Sequence, residues 1–246
     1  MLMESVAVGE PFVFVPQFVE SESPATLAGL FAHQPSEPLE AGAALFWQGD
    51  RALQVFKVET GALRIVHVLG DGRRVITGFL FAGDLVGLSL QDRYLYTAEA
   101  IRPTRVRRLA RPLFEAAANE DGELRGQLYA RLCAEMTAAH EQVVLLARKN
   151  AEERVSSFLL ALVRRMRQAL PPTRVVDLPM TRLDMADYLG LTIETVSRVM
   201  TRLQMAGVIE QTGRHVVTVL RPMRLARLAG VEDETEGPTE GALNAH

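Results

Sequence analysis

The spacing of hydrophobic and polar residues divides the chain into regions with different periods. From about residue 40 to residue 110, apolar residues come in short or alternating runs interrupted by glycines, as in LQVFKVETGALRIVHV at residues 53–68. Such runs are typical of β-strands, and the glycines of GDG at residues 70–72 predict a hairpin. We therefore expect a β-barrel or jelly roll at residues 26–120, preceded by an irregular arm at residues 1–25.

A helical period replaces the strand pattern at residues 121–149. Its apolar residues recur at spacings of three and four, which is typical of a coiled-coil seam. The predicted interface residues are Leu128, Leu132, Met136, Ala139, Val143 and Leu146. The partner of this seam is either the barrel of the same chain or the same helix of a second copy. Because one helix can use two faces at once, we expect a homodimer.

A second helix is predicted at residues 151–170, where Pro171 and Pro172 would end it. TRVVDLP at residues 173–179 follows as a short strand. With the barrel, these helices give an α+β fold, in which residues 150–230 form a C-terminal domain and residues 231–246 an acidic tail.

The stretch MTRLDMADYLGLTIETVSRVMTRLQMAGVIE at residues 180–210 has the pattern of a helix-turn-helix. Thr181 and Asp184 form a capping-box-like pair at the start of the first helix. Gly190 occupies the turn, where a positive φ favours glycine. Thr192 can cap the second helix. Because these positions fit the motif together, we interpret the region as a DNA-binding unit.

The second helix of such a unit lies in the major groove, with its N-terminal residues against the base edges. Glu194, Ser197 and Arg198 share one helix face, since residues three and four apart are neighbours. Glu194 can accept from a cytosine amine, Arg198 can bind guanine with its fork, and Ser197 can bond a base or a phosphate. Two ordinary explanations stay open: Glu194 favours the helix dipole, and it could simply pair with Arg198. In this context we favour base reading.

Other polar residues are placed to contact the DNA backbone. The hairpin VIEQTGRHVVTVL at residues 208–220 turns around Gly213 and predicts a wing. Backbone contacts position a protein on DNA without reading its sequence. The predicted backbone-contacting residues are Arg182, Thr192, Thr195, Arg202 and, at the wing tip, Arg214.

Charge supports the same interpretation. The 246-residue chain has 48% hydrophobic residues and a net charge of −3, an ordinary globular composition. Residues 151–230, however, hold 12 Arg against 7 Asp and Glu, whereas residues 231–246 hold five acidic residues and no Lys or Arg. A basic segment in an acidic chain favours a polyanionic partner.

Other features of the sequence limit where the protein is located and which covalent links it can form. The apolar runs are too short to span a bilayer, and the start of the chain does not resemble a signal peptide. Because Cys133 is the single cysteine, the chain cannot form an internal disulfide, and we expect a cytoplasmic protein.

We do not expect an enzyme, because phosphate-loop and GxGxxG patterns are missing and the histidines have no paired spacing. Haem ligation by His67 or His140 stays open. The histidines are His33, His67, His140, His215 and His246.

Over roughly residues 30–230 the chain resembles the CRP/FNR superfamily of bacterial transcription regulators. The resemblance rests on the glycine-punctuated barrel, the long helix and the winged helix-turn-helix. The ETVSR run at residues 194–198 is similar to the E-x-x-S-R of the FNR and FixK branch. The resemblance implies base reading by Glu194, Ser197 and Arg198 at a palindrome of TTGA-type half-sites. It also implies three partners: double-stranded DNA, a second copy of the chain and RNA polymerase.

Two departures from family patterns suggest the subtype. FNR holds its iron–sulfur cluster with four cysteines, and this chain has one. Members that bind cyclic AMP carry Gly-Glu-Leu before an Arg-Ser pair. Here Asp84 replaces the glutamate, and Tyr94, Leu95 and Tyr96 occupy the arginine region. The chain is thus most similar to FixK-type regulators, for which we expect no cofactor and a place in a low-oxygen cascade.

Two other hypotheses stay open. One is a regulator of the same superfamily that senses a small ligand or haem. The other is a ligand-binding barrel whose helical tail serves protein contacts.

Overall fold

The computed structural model describes residues 26–88, 91–167 and 175–231, and these residues have the predicted α+β fold. The predicted arm at residues 1–25 lies outside the described residues. So does the acidic tail, except for its first residue, Val231. None of the helices in the described part of the chain has both the length and the apolar character that a membrane span requires.

Eight antiparallel strands form the barrel. They are β1 (Ser36–Leu39), β2 (Ala44–Phe46), β3 (Gln54–Thr60), β4 (Ala62–Val68), β5 (Arg74–Phe81), β6 (Leu85–Val86), β7 (Thr97–Ala100) and β8 (Thr104–Ala110). One sheet has the order β1-β8-β3-β6 and the other β2-β7-β4-β5. The two sheets enclose a core that includes Phe46, Phe56, Leu63 and Leu80.

The predicted hairpin around GDG is confirmed as the turn between β4 and β5. Gly72 has φ 84°, and the backbone N–H of Leu69 donates to the carbonyl of Arg73 at 2.8 Å. Glycine reaches a positive φ without a steric penalty, which is why the turn closes at this residue.

The rest of the described chain is mainly helical. Its elements are α1 (Arg111–Glu120), α2 (Gly122–Arg148), α3 (Ala151–Arg167), β9 (Val175–Asp177), α4 (Arg182–Leu189), α5 (Ile193–Met205), β10 (Ile209–Thr212), β11 (Val216–Val219) and α6 (Pro222–Leu228). The predicted second helix corresponds to α3, and its predicted end at residues 168–170 lies outside the described residues. Sequence reasoning did not identify α6.

Asp121 separates α1 from the long helix α2. Its extended backbone interrupts the helical path, and its carboxylate accepts from the backbone N–H groups of Glu123 and Leu124 at 2.7 and 3.3 Å. This cap satisfies amides that have no partner in the first turn of a helix. The predicted long helix is therefore observed, and α1 is a helix inside the region predicted to be barrel.

The largest hydrophobic core joins the C-terminal region to the outside of the barrel. Phe79 of β5 lies 6.0 Å from Phe158 of α3 and 5.3 Å from Tyr188 of α4, measured between ring centroids. All three side chains are buried. The helix-turn-helix is therefore held against the barrel by shared apolar packing.

Candidate DNA interface

The turn between α4 and α5 is built by the predicted residues. Thr181 Oγ1 accepts from the backbone N–H of Asp184 at 3.1 Å, and Asp184 Oδ2 accepts from the backbone N–H of Thr181 at 2.8 Å, which completes a capping box. Gly190 ends α4 with φ 61°. Thr192 then starts α5 by accepting from the backbone N–H of Thr195 at 3.2 Å. These local bonds fix the angle at which α5 leaves the turn.

Packing decides which face of α5 is free. Val196, Val199 and Leu203 are buried, and the small side chain of Ala186 is buried beside them on α4. Residues spaced by three and four lie on one stripe of a helix, so burial of this stripe turns the opposite stripe outward.

Glu194, Ser197 and Arg198 lie on the outward stripe, and all three side chains are exposed. A hydrogen bond from its own backbone, a second from Thr192 and the nearby charge of Arg198 together hold the pKa of Glu194 below its ordinary value. Arg198 Nη2 donates to Thr195 Oγ1 at 3.2 Å, so the guanidinium lies over the first turns of the helix. The face presents a carboxylate acceptor, a hydroxyl and a cation together, which suits the donors and acceptors of a major groove.

The five residues predicted to contact the DNA backbone differ in their exposure and in the contacts that their side chains already make. Arg214 is exposed in the β10–β11 turn, beside Gly213 with φ 65°. Arg202 is exposed and lies 3.7 Å from the carboxylate of Glu152. Thr192 and Thr195 contribute their hydroxyls to the start of α5. Both threonines therefore have a structural role beside any phosphate contact.

Arg182 is the most constrained of this set. It is half-buried, and its Nη2 donates to Gln211 Oε1 at 2.9 Å, while burial lowers the pKa of its guanidinium. Arg182 thereby joins α4 to the wing strand β10. A phosphate contact by Arg182 would require part of its side chain to leave this site.

The six predicted interface residues of α2 lie in two environments. Met136, Ala139, Val143 and Leu146 are exposed, whereas Leu128 and Leu132 are half-buried. The face of α2 that packs on its own chain is marked by buried residues seven apart: Leu124, Arg131, Ala138 and Leu145. Leu128 and Leu132 do not belong to this buried series, and they lie between the buried face and the exposed face of α2.

An exposed apolar stripe runs along the opposite face of α2. Tyr129, Met136 and Val143 are also seven apart, and their exposed fractions are 64%, 59% and 65%. Sequence reasoning missed Tyr129, although its position seven residues before Met136 was a usable signal. Large apolar side chains repeated on a free helix face indicate a protein-binding surface.

A cavity of about 320 Å³ lies between the barrel and α2, where His67, Tyr96, Glu135 and Gln142 contribute polar groups. The side chains described around it include neither arginine nor lysine. Burial raises the pKa of Glu135, although Arg131 opposes the rise, and burial lowers the pKa of His67. A cyclic phosphate is held most strongly by a cation, and this described lining offers hydroxyl, amide and imidazole donors without a guanidinium or ammonium group.

Asp84 does not face that cavity as a free ligand. It is fully buried, and Oδ2 accepts from the backbone N–H of Phe81 at 2.7 Å and from Arg165 Nη2 at 2.9 Å. Burial raises the pKa of Asp84, although Arg165 and Arg131 oppose the rise. The residue that replaces the family's glutamate thus connects the barrel to α3.

Other ion pairs reinforce the contact between the barrel and the C-terminal region. Arg64 of β4 lies 2.7 Å from Asp184 of α4, and Arg102 lies 2.6 Å from Asp177 of β9. Asp184 therefore serves both the capping box and the contact with the barrel. Sequence reasoning missed these pairs because their partners are more than 70 residues apart.

Comparison with known families gives two matches. Residues 153–228 match the Crp-like helix-turn-helix domain, and residues 36–121 match the cyclic nucleotide-binding domain. The nitrogen fixation regulation protein FixK of Azorhizobium caulinodans is 39% identical over 213 residues, which cover 81% of this chain and 86% of that protein. The fumarate and nitrate reduction regulatory protein of Escherichia coli is 32% identical over 196 residues, or 79% and 78% of the two chains.

Solved structures give the same fold. FixK2 of Bradyrhizobium japonicum superposes with a TM-score of 0.74 at 36% identity, covering 79% of this chain and 96% of that one. TTHB099 of Thermus thermophilus, titled a transcriptional regulator of the CRP family, superposes with a TM-score of 0.62. At 24% identity, that second likeness concerns the fold alone.

Proposed function

Since the chain belongs to the CRP/FNR superfamily of transcription regulators, in its FixK-like branch, we propose that it is a dimeric regulator that reads TTGA-type palindromic half-sites. Residues 26–120 would form a sensor-like barrel, residues 121–149 the dimerisation helix and residues 150–230 the DNA-binding domain. The regulators of this family are not enzymes, and we assign no reaction to the chain.

The observation that carries the proposal is the outward face of α5. Glu194, Ser197 and Arg198 are exposed on its first two turns, while the opposite stripe is buried. A helix held this way can enter the major groove N-terminus first, with Arg198 on a guanine and Glu194 on a cytosine amine. Arg182, Thr192, Thr195, Arg202 and Arg214 would hold the helix in register through phosphates.

Dimerisation would supply the second half-site. The stripe of Tyr129, Met136 and Val143 on α2 is available to the same stripe of a second copy. A two-fold axis along paired α2 helices would present two recognition helices to half-sites that, in dimeric helix-turn-helix proteins, lie about 34 Å apart, or one turn of DNA. This arrangement accounts for a palindromic target.

We propose that neither a cyclic nucleotide nor an iron–sulfur cluster is needed. The described lining of the cavity beside α2 includes the carboxyl group of Glu135 and no arginine or lysine that would hold a cyclic phosphate. Four-cysteine clusters need four thiolates, and the chain has only Cys133. The dimer would then populate its DNA-binding form without a ligand.

The cellular role would be activation in a response to low oxygen. The names of the FixK and the fumarate and nitrate reduction proteins support this role, since nitrogen fixation and nitrate reduction are low-oxygen processes. An activator also has to contact RNA polymerase, which we include as a partner.

The experiment is a fluorescence anisotropy titration of full-length protein with a TTGA palindrome, in air and without nucleotide. We expect tighter binding than to a scrambled duplex of the same composition, by about 10³-fold or more at physiological salt. A salt series separates phosphate contacts, which weaken as salt rises, from base reading. Equal affinity for both duplexes would contradict the proposed specificity.

A second candidate is a small-ligand- or haem-sensing regulator of the same superfamily. The 320 Å³ cavity favours it, because the volume suits a small molecule and His67 lies in its lining. The visible spectrum of the purified protein tests haem, and titration with and without cyclic AMP tests the nucleotide. A haem band, or a tenfold gain in DNA affinity with the nucleotide, would favour this candidate over the ligand-free regulator.

A further inference from the structure

A second apolar groove lies beside the N-terminal half of α2, apart from the cavity that contains His67. Its volume is about 310 Å³, and its floor includes Val55 of β3, Phe114 of α1, and Leu128 and Leu132 of α2. At the rim, Arg111 forms an ion pair within its own chain, since its Nε lies 2.6 Å from a carboxylate oxygen of Glu115. The described lining is otherwise largely apolar, so the groove suits an apolar occupant rather than an ion.

The first described residues of the chain are anchored at this groove. Leu27 is fully buried, and its backbone N–H donates to the side-chain oxygen of Gln127 on α2 at 3.0 Å. Leu27 belongs to the same hydrophobic cluster as Val55 and Phe114, with Leu128 packed against it. The described part of the chain therefore begins at the margin of the groove.

That segment is unusually apolar. Residues 11–19 read PFVFVPQFV and contain three of the ten phenylalanines of the chain. The other seven phenylalanines are all buried. Pro11 and Pro16 disfavour a helix, whereas Phe and Val are residue types enriched in strands, so the sequence favours an extended segment.

We propose that residues 11–19 dock into the groove of the same chain, with Phe12 and Phe14 inserted. Twelve residues lie between Phe14 and Leu27, and the thirteen Cα–Cα steps allow a reach of up to about 45 Å. An apolar cavity of about 150 Å³ holds one benzene, so 310 Å³ suits about two phenyl rings. The docked segment fastens α1 and the first half of α2 to β3. This function is independent of DNA reading.

Disulfide trapping in the full-length chain tests the position. In a Cys133→Ser background, Phe14→Cys is combined with Leu132→Cys at the groove, or with Arg73→Cys at the exposed β4–β5 turn as a control. We expect the groove pair to oxidise at least tenfold faster and to give a disulfide within one chain, identified by mass spectrometry. Equal rates for both pairs overturn the proposal. A disulfide that joins the Phe14→Cys site of one chain to the Leu132→Cys site of another also overturns it, because the groove would then hold the segment of a second copy.

Dye binding tests the inserted rings. The full-length Phe12→Ser/Phe14→Ser variant is expected to bind anilinonaphthalene sulfonate with several-fold higher fluorescence than the parent, since the groove is opened. A synthetic peptide of residues 9–20 should reverse the increase. The matched Val13→Ser/Val15→Ser variant, which keeps both rings, should stay near the parent. Unchanged fluorescence in the phenylalanine variant, or an equal rise in the valine variant, overturns the insertion of Phe12 and Phe14.

Discussion

Helices α2 and α5 each bury one stripe and expose the other, but the exposed stripes differ in chemistry. The free face of α5 begins with Glu194, Ser197 and Arg198. The free face of α2 carries large apolar side chains, among them Met136 and Val143. Both helices pack against the same chain through their buried stripes, and their outward faces differ in chemistry.

The difference indicates the kind of partner that each helix meets. Exposed acceptors, hydroxyls and cations can replace bonds that base edges and phosphates make with water. Exposed apolar side chains gain only from burial against another apolar surface, which a second copy of α2 provides. Under the proposed function, the outward face of α5 is the surface for DNA and the outward face of α2 is the surface for a second copy.

The largest expected effect comes from placing a charge on the apolar stripe. Val143→Glu should separate the dimer, because an unpaired charge at an interface costs several kcal/mol. DNA affinity should fall with it, since one protomer supplies only half of the contacts. Sedimentation velocity across a concentration series measures the first effect, and anisotropy with the palindrome measures the second.

Ala130→Glu is the matched control. Ala130 is exposed on the same helix but lies about 100° from Tyr129 of the stripe. This variant should remain dimeric. If Val143→Glu is dimeric as well, the two copies meet through another surface. The exposed apolar stripe of α2 would then not be the dimer interface.

Arg198→Ala should remove discrimination between a TTGA palindrome and a scrambled duplex while the dimer stays intact. One bidentate contact discriminates by about 1–3 kcal/mol, and a two-fold complex loses two of them. Competition titrations with both duplexes measure the ratio. Preserved discrimination in the variant would mean that Arg198 does not read a base.

Arg214→Ala should weaken binding to all sequences to a similar degree. Its exposed position at the wing tip suits a phosphate, and loss of one phosphate contact lowers the salt slope by about one unit per site. The slope is read from affinities between low and moderate salt. A change in sequence preference would instead assign Arg214 to base reading.

Local sequence signals were enough for the candidate DNA interface. The capping box of Thr181 and Asp184, the turn at Gly190 and the cap at Thr192 depend on residues within four positions of one another. Burial of Val196 follows from the helical period. Local rules therefore fix which face of α5 points outward.

The contacts between regions could not be predicted in the same way. Arg64 meets Asp184 and Arg165 meets Asp84 across 120 and 81 positions of the chain. Such pairs depend on how the barrel and the helices dock, which no local pattern encodes. For the same reason the sequence did not separate two environments within the predicted seam: Leu128 and Leu132 are half-buried and line the groove beside β3, whereas the other four residues are exposed.

The smallest expected effects come from glycine-to-alanine substitutions at two positions, one in the turn between α4 and α5 and one within α2. Gly190→Ala should destabilise the fold by about 1–2 kcal/mol, because an L-residue is strained at φ 61° and its Cβ would lie 3.3 Å from Leu146 Cδ2. Gly126→Ala lies within α2, where a Cβ meets nothing within 4 Å, and should stabilise by about 0.5–1 kcal/mol.

Urea unfolding at one fixed protein concentration measures both variants, because the stability of a dimer depends on concentration. Opposite signs are expected, since glycine is required by the backbone at the turn and only tolerated in the helix. A stable Gly190→Ala variant would mean that the turn can relax away from positive φ. In that case the approach of Leu146 on α2 to the helix-turn-helix would no longer depend on the shape of this turn.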